Sequence, residues 1–458
     1  PLATSRTFPE IAGDLVVTTN AATLTLNGNT TVSGISASLG NLTVVPSGVV
    51  TQTFASSSAS VTNRIHATSA TSNPRYIYLG NALVDDNLTL NVADNLIFSG
   101  SGGTLAHLFV RGRLIGGTEE TPISLIARAH GTEYPTVRVY LTNANNDFRG
   151  DVFVGATGSS YESNMFVFLG YSSVNGTDAM LGHPDNKVIL LNKRPNLCVS
   201  RCDAGGLKRR ILGTGNVRGL RVDTAWPTST SADALVLGDG SSLEPSVEFS
   251  NPIGKITVIG STLTTHANSQ IRINVTPTTK DVVAFSGTSA FTYTGKVLME
   301  PLETVAPGTS WDIITVTKDT KGFTFSPSYT TPFYSFKTTG NATDGWVVTA
   351  TKQVDTTLFP AVQNLATTLI AETNATIHAD VISVAPDGEA TLRAYFGTVD
   401  QGANFGAWEQ AVEYPAAVTA PGVSSLRLDT LQLNQTYYVR HSISNSTGES
   451  MSPDVVSF

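Results

Sequence analysis

The chain has 458 residues, a formal net charge of −8 and only 14% charged side chains, where an average globular chain carries roughly 25%. That length leaves room for two or three folding units, and 40% hydrophobic residues exclude a disordered chain. The acidity argues against nucleic acid or an anionic membrane surface as partner, and no apolar run reaches the ~18 residues of a membrane helix, so membrane insertion is not expected either.

The chain begins at Pro1 without Met, which suggests processing or a cropped sequence, and the expected setting is secreted, with a signal peptide removed. Residues 1–12, with only Arg6 and Glu10 charged, suit an extended arm able to add to another subunit as a strand. From Leu15 onward short alternating runs recur: Leu24-Thr25-Leu26, Leu42-Thr43-Val44 and Leu88-Thr89-Leu90, later Ile256-Thr257-Val258 and Ile271-Arg272-Ile273-Asn274-Val275. Apolar residues at period two mark half-buried strands. Turn clusters punctuate them, at Asn27-Gly28-Asn29, Ser99-Gly100-Ser101-Gly102-Gly103 and Gly238-Asp239-Gly240. Imperfect repeats sustained over hundreds of residues favour a solenoid over a single sandwich. At ~22 residues per coil, about 15 coils at ~4.8 Å would make a rod near ~70 Å.

Charge falls in three zones. Residues 1–186 are net −5, residues 187–360 net +4 with every lysine of the chain, and residues 361–458 net −7. Polar residues 353–360, ending in Pro360, read as a linker between a solenoid over 1–352 and a second domain over 361–458. The segment Val362 to Leu369 comes nearest to a helical period, but its paired threonines favour a strand.

The passage Leu141-Thr142-Asn143-Ala144-Asn145-Asn146-Asp147-Phe148-Arg149-Gly150, followed by Phe168-Leu169-Gly170, Met180-Leu181-Gly182 and the strand from Lys187, resembles the autotransporter-associated β-strand repeat of bacterial surface proteins. The strand after Gly150, Asp151-Val152-Phe153-Val154, is bulkier than the small-residue strand usual there. The resemblance implies a right-handed parallel β-helix in an extracellular or cell-surface protein. Within such stacked coils Asn143, Asn145 and Asn146 are structural turn residues able to bond to an Asn of the next coil, Phe148 is an inward core residue, and Gly150 opens a tight corner. The tail stretch Leu431-Gln432-Leu433-Asn434-Gln435-Thr436-Tyr437-Tyr438-Val439-Arg440 resembles a fibronectin type III-like β-sandwich, with Leu433 where that family usually has Pro. This implies a corner role for Tyr437, its hydroxyl bonded to backbone, with Val439 inward.

Chemistry is sparse. Asp85-Asp86 is the tightest acid pair, but a turn before Leu88 explains it, and Glu119-Glu120 reads as a solvated loop. The seven histidines are scattered without metal-ligand spacing, and His183 reads as a turn residue. Calcium at Asp85, Asp86 and Asn87 finds no regular Asp ladder to support it. No catalytic, cofactor or metal residue is therefore assigned. Cys198 and Cys202, four apart, could bridge only across a turn. Lys208-Arg209-Arg210 is a solvated corner and a candidate assembly or anion contact.

The expected fold is all-β: a parallel β-helix followed by a small antiparallel β-sandwich. The expected function is that of a non-catalytic structural protein of a bacterial surface. It would assemble with itself into a fibre or layer, the −7 tail facing the +4 band of a neighbour, and could contact surface polysaccharide. The alternatives are a carbohydrate-active β-helix enzyme and a monomeric glycan-binding adhesin. A groove lined by two or more carboxylates and aromatics on one solenoid face would favour the enzyme, and a featureless face with end-to-end contacts the structural protein.

Overall fold

The computed structural model describes residues 14–17, 21–37, 41–55, 63–68, 74–101, 105–129, 136–155, 165–191, 195–222, 230–246, 253–303, 305–306, 308–318, 320–331, 334–352, 360–385, 387–402, 405–429, 431–446, 448–452 and 455–458. The expected arm over 1–12 and residues 353–359 of the expected linker lie outside them. The chain divides into two compact units, one of residues 1–304, 311–329 and 336–349, the other of 305–310, 330–335 and 350–458.

The first unit is a parallel β-helix. Successive strands in the chain join different sheets, and each sheet gains a strand once per coil. Among the described residues one sheet has 12 strands, starting Asp14–Val17, Gly34–Ala37, Arg64–Thr68, Leu96–Ser101, Ile123–Ala129, Gly150–Val154, Val188–Leu190. A second has 14, starting Ala21–Leu26, Asn41–Pro46, Arg75–Leu79, Leu105–Val110, Thr136–Leu141, Met165–Leu169, Pro195–Val199. A third face of five strands runs from Thr30–Val32 to Asp147–Phe148. Coils are longer and less regular than expected. Leu15 pairs with Ile35, whereas Val152 pairs with Val188, steps of 20 and 36 residues. Turns of variable length between the strands absorb the difference, so the 12 rungs make a stack of about 53 Å instead of ~70 Å.

Alternation fills the interior. Leu42, Ile77, Leu108, Val139, Val167, Leu197 and Val217 follow one another rung by rung, each at most 2% exposed. Each such side chain contributes roughly 1.5–3 kcal/mol on burial. The residues between them point out of the coil, yet several are buried as well. Tyr78, Phe109, Tyr140 and Phe168 stack at centroid distances of 4.3–4.8 Å, with Tyr171 edge-on to Phe109 and Tyr140. His107 lies between Tyr76 and Arg138 on the neighbouring strands, fully buried, and burial holds its imidazole near a pKa of about 3.

One expected turn is a strand. Ser99, Gly100 and Ser101 complete Leu96–Ser101, in register with His66, Ala67 and Thr68. His66 bonds the hydroxyls of Ser99 (2.8 Å) and Ser101 (3.0 Å), which lets these small polar residues stack on the preceding coil.

The second unit includes an antiparallel β-sandwich. One sheet is Ala361–Ala371, Asn374–Ser383, Gly422–Leu428 in that order; the other runs Gln410–Glu413, Thr391–Gly397, Tyr438–Asn445, Gly448–Met451, with Val456–Ser457 also on Tyr438–Asn445. Ile377, Ala379 and Val381 from one sheet meet Leu392, Ala394 and Ile443 from the other.

Candidate functional site

The Asn-rich turn fastens three coils together. Asn146 Oδ1 accepts the Leu114 N–H from the coil before, and its amide donates to Met180 O on the coil after, both at 2.8 Å. Asn143, wholly buried, accepts the Asn145 N–H (2.8 Å) and donates to Asp86 Oδ1 (3.1 Å), which also accepts from Asn145 Nδ2 (3.2 Å). Their partners are backbone groups and a carboxylate, not an Asn of the next coil: Asp86, two coils back, reaches that corner. Asp85, 6% exposed, accepts the N–H groups of Asn81 (2.7 Å) and Asn87 (3.3 Å). The acid pair is thus divided between closing its own turn and anchoring the Asn turn. Phe148 is fully buried. Gly150 has φ +144°, and a Cβ there would lie 1.8 Å from Ile123 O, so only glycine fits.

Gly150 also opens a cavity of about 360 Å³ on the outer side of this corner. Its N–H is fixed by Asn186 Oδ1 (2.8 Å), and Asn186 donates to Phe148 O and Leu181 O. From the strand Gly150–Val154 the outward residues are Asp151 and Phe153, since Val152 and Val154 face the core. Asp151 Oδ1 accepts the Lys187 N–H (2.8 Å). Arg149 spans one rim, donating to Glu119 Oε2 (2.9 Å) and to His183 Nε2 (2.8 Å). On its other side the ring's Nδ1 lies 3.3 Å from both the Asp185 N–H and Asp185 Oδ2. Glu119, Asp151, Asp185, Arg149, Phe153 and Pro122 line the cavity.

Sequence reasoning treated Glu119 and His183 as isolated turn residues. They meet because Glu119, Arg149 and His183 stand one coil apart, 30 and 34 residues. The coil repeat was the available signal, but its irregular length concealed it.

The basic run is a solvated corner only in part, because Arg209 is buried. Lys208 is exposed, with its backbone N–H on Asp178 Oδ1 (2.8 Å). Arg210 pairs with Glu244 (2.6 Å). Arg209 is 2% exposed and unavailable for assembly: its guanidinium donates to Asp178 Oδ2 (2.8 Å), to Gly182 O and Asp178 O, and to His183 O. It props the turn that carries His183. Cys198 and Cys202 are unbridged, and burial pushes both thiols up, to about 12 and about 11. No group of His, Cys, Asp and Glu able to hold a metal occurs among the described residues.

In the sandwich Tyr437 is 7% exposed and its phenol oxygen accepts the Gln432 N–H (3.0 Å), while Leu433 is 60% exposed and Val439 is buried. Trp408 is 8% exposed, packed with Tyr395 and Met451. The strand Ala361–Ala371 pairs, among the described residues, only with Asn374–Ser383. Its sequence carries no charge, and Leu369 (79%) and Ile370 (60%) stand exposed on it.

No family model matches the chain, and no curated protein does. Among solved structures, the sensor domain of the anti-sigma factor RsgI4 of Pseudobacteroides cellulosolvens is similar over 22% of this chain and 91% of its own, at 14% identity and a TM-score of 0.17, too low to carry an argument.

Proposed function

We propose that this protein is a non-catalytic structural protein of a bacterial surface that associates with itself, a second copy pairing along the outer edge of the strand at Leu365–Ala371. The observation behind this reading is an uncharged outer edge that carries exposed aliphatic side chains. Natural sheets protect exposed edges with Lys, Pro or a bulge that turns the strand away, because a row of unpaired N–H and C=O groups recruits another strand. From Leu365 to Ala371 there is neither charge nor Pro, and two large aliphatic side chains are exposed; the register shifts at Leu365/Thr368 and Thr368/Ala371, with Leu369 at φ +48°, are the one guard present. The resemblance of residues 141–150 to the surface-protein repeat supports an extracellular setting. The stacked solenoid would supply a stiff body.

The test is sedimentation velocity and electron microscopy of the full chain at low and high salt. Wild type is expected to form higher species in both, because strand pairing is not screened, whereas attraction between the −7 and +4 zones would fade at high salt. The variant Leu369→Lys/Ile370→Lys is expected to remain monomeric with unchanged circular dichroism. Wild type that stays monomeric at high concentration would defeat the proposal.

A further inference from the structure

We infer that the cavity beside Gly150 is a binding site for a neutral glycan segment. At about 360 Å³ it lies at the small end of ligand clefts, with room on the order of one or two sugar rings. Its floor is amphipathic by register. Phe153 stands between Ile126 and Ile189 on adjacent rungs, an outward apolar column. The neighbouring outward column places Ser124 beside Asp151. A pyranose has the same division, with C–H bonds on its faces and hydroxyls around its rim. Phe153 and Pro122 suit the face, and carboxylates suit the rim, since an ionised carboxylate only accepts and a hydroxyl can donate.

Charge selects among glycans. Glu119, Asp151 and Asp185 against Arg149 leave the lining net negative, and Arg149 is already engaged by Glu119 and His183. A uronate or phosphate would meet like charge without a free guanidinium, whereas a neutral sugar pays no such penalty. The rim is held from behind. Arg209 fixes Gly182 O and His183 O, and Asn186 fixes Gly150, so the site needs little ordering when a ligand arrives.

The experiment is binding of the full chain to a panel of neutral, acidic and amino oligosaccharides, followed by calorimetry on the strongest binder. Neutral oligosaccharides are expected to bind, with Phe153→Ala weakening them about five- to tenfold, the loss of one ring contact. Asp185→Ala, at a side chain 80% exposed and safe for folding, is expected to weaken them as well. Unchanged melting of both variants separates lost binding from lost fold. Preference for acidic or amino sugars, no binding by wild type, or full binding by both variants would overturn the assignment. None of these outcomes depends on self-association, which the Leu369→Lys/Ile370→Lys variant reports separately.

Discussion

Arg209→Met keeps most of the side-chain volume and removes the guanidinium. Four contacts disappear: one with the Asp178 carboxylate and three with the carbonyls of Asp178, Gly182 and His183. Hydrogen bonds to a charged group are worth roughly 1.5–3 kcal/mol each, and stripping one partner from a buried pair costs roughly 3–5 kcal/mol. Two effects offset part of the gross loss. Asp178 is 18% exposed and keeps the Lys208 N–H, so water and backbone still serve it, and the buried cation no longer has to be desolvated. The expected net cost is about 4 kcal/mol. Urea unfolding followed by circular dichroism measures it, with hydrogen exchange at residues 178–186 as the local readout. Lys208→Met, which touches only an exposed side chain, should stay within about 0.5 kcal/mol. In the double variant with Asp178→Asn the costs should fall well short of additive, because the two residues share one interaction. An Arg209→Met protein that loses less than about 1 kcal/mol, or a Lys208→Met protein that loses as much as Arg209→Met is expected to, would refute the view that Arg209 is an internal strut.

Gly150→Ala should destabilise by more than about 1 kcal/mol, since its φ and the Ile123 carbonyl both exclude a Cβ; thermal melting checks it, and an unchanged transition would mean the corner can shift freely. Tyr437→Phe should cost about 1 kcal/mol in the sandwich, the worth of the bond from Gln432 N–H, measured by urea unfolding of the full chain. His441 is buried with Nδ1 on Asn364 Oδ1 (2.8 Å) and Nε2 on Tyr414 Oη (2.9 Å), and burial, then nearby His378, lowers its pKa from 6.5 to about 3. The unfolded chain therefore takes up a proton that the folded one refuses. The stability this neutral ring contributes is full above pH 6.5 and is lost as pH falls toward about 3, by up to about 1.4 kcal/mol per pH unit. An NMR titration should find the ring neutral at about pH 5, and a midpoint near 6.5 would contradict it.

The proposed self-association and glycan binding would make different demands on the molecule. The edge strand would work through backbone groups, so its partner could be any suitable strand. The cavity works through side chains drawn from three coils, so its selectivity depends on how the coils are aligned. Asn146 and Asn186 set that alignment, which makes the Asn turn indirectly responsible for the site although neither Asn143 nor Asn145 lines it.

The all-β character and the stacking of coils were legible because period-two burial is local: Leu42, Val44, Leu88 and Leu90 point inward by alternation alone, whereas the tail sandwich was legible only through the resemblance of residues 431–440. Phe148, Gly150 and Tyr437 were legible for a related reason, since each role is fixed by a short stretch of chain. Coil length was not. It depends on turns whose conformation is set by neighbouring rungs, as the strand through Ser99–Ser101 illustrates. The same dependence hid the outward aromatic stack of Phe109 and Tyr140, whose burial comes from tertiary neighbours. It hid the meeting of Glu119, Arg149 and His183, which are far apart in sequence but one rung apart in space. It also inverted the reading of Arg209. A run of three cations reads as a solvated surface, but Arg209 lies at a bend just before the strand Arg210–Gly213, and only the folded coil supplies the carboxylate and carbonyls that make a buried guanidinium tolerable.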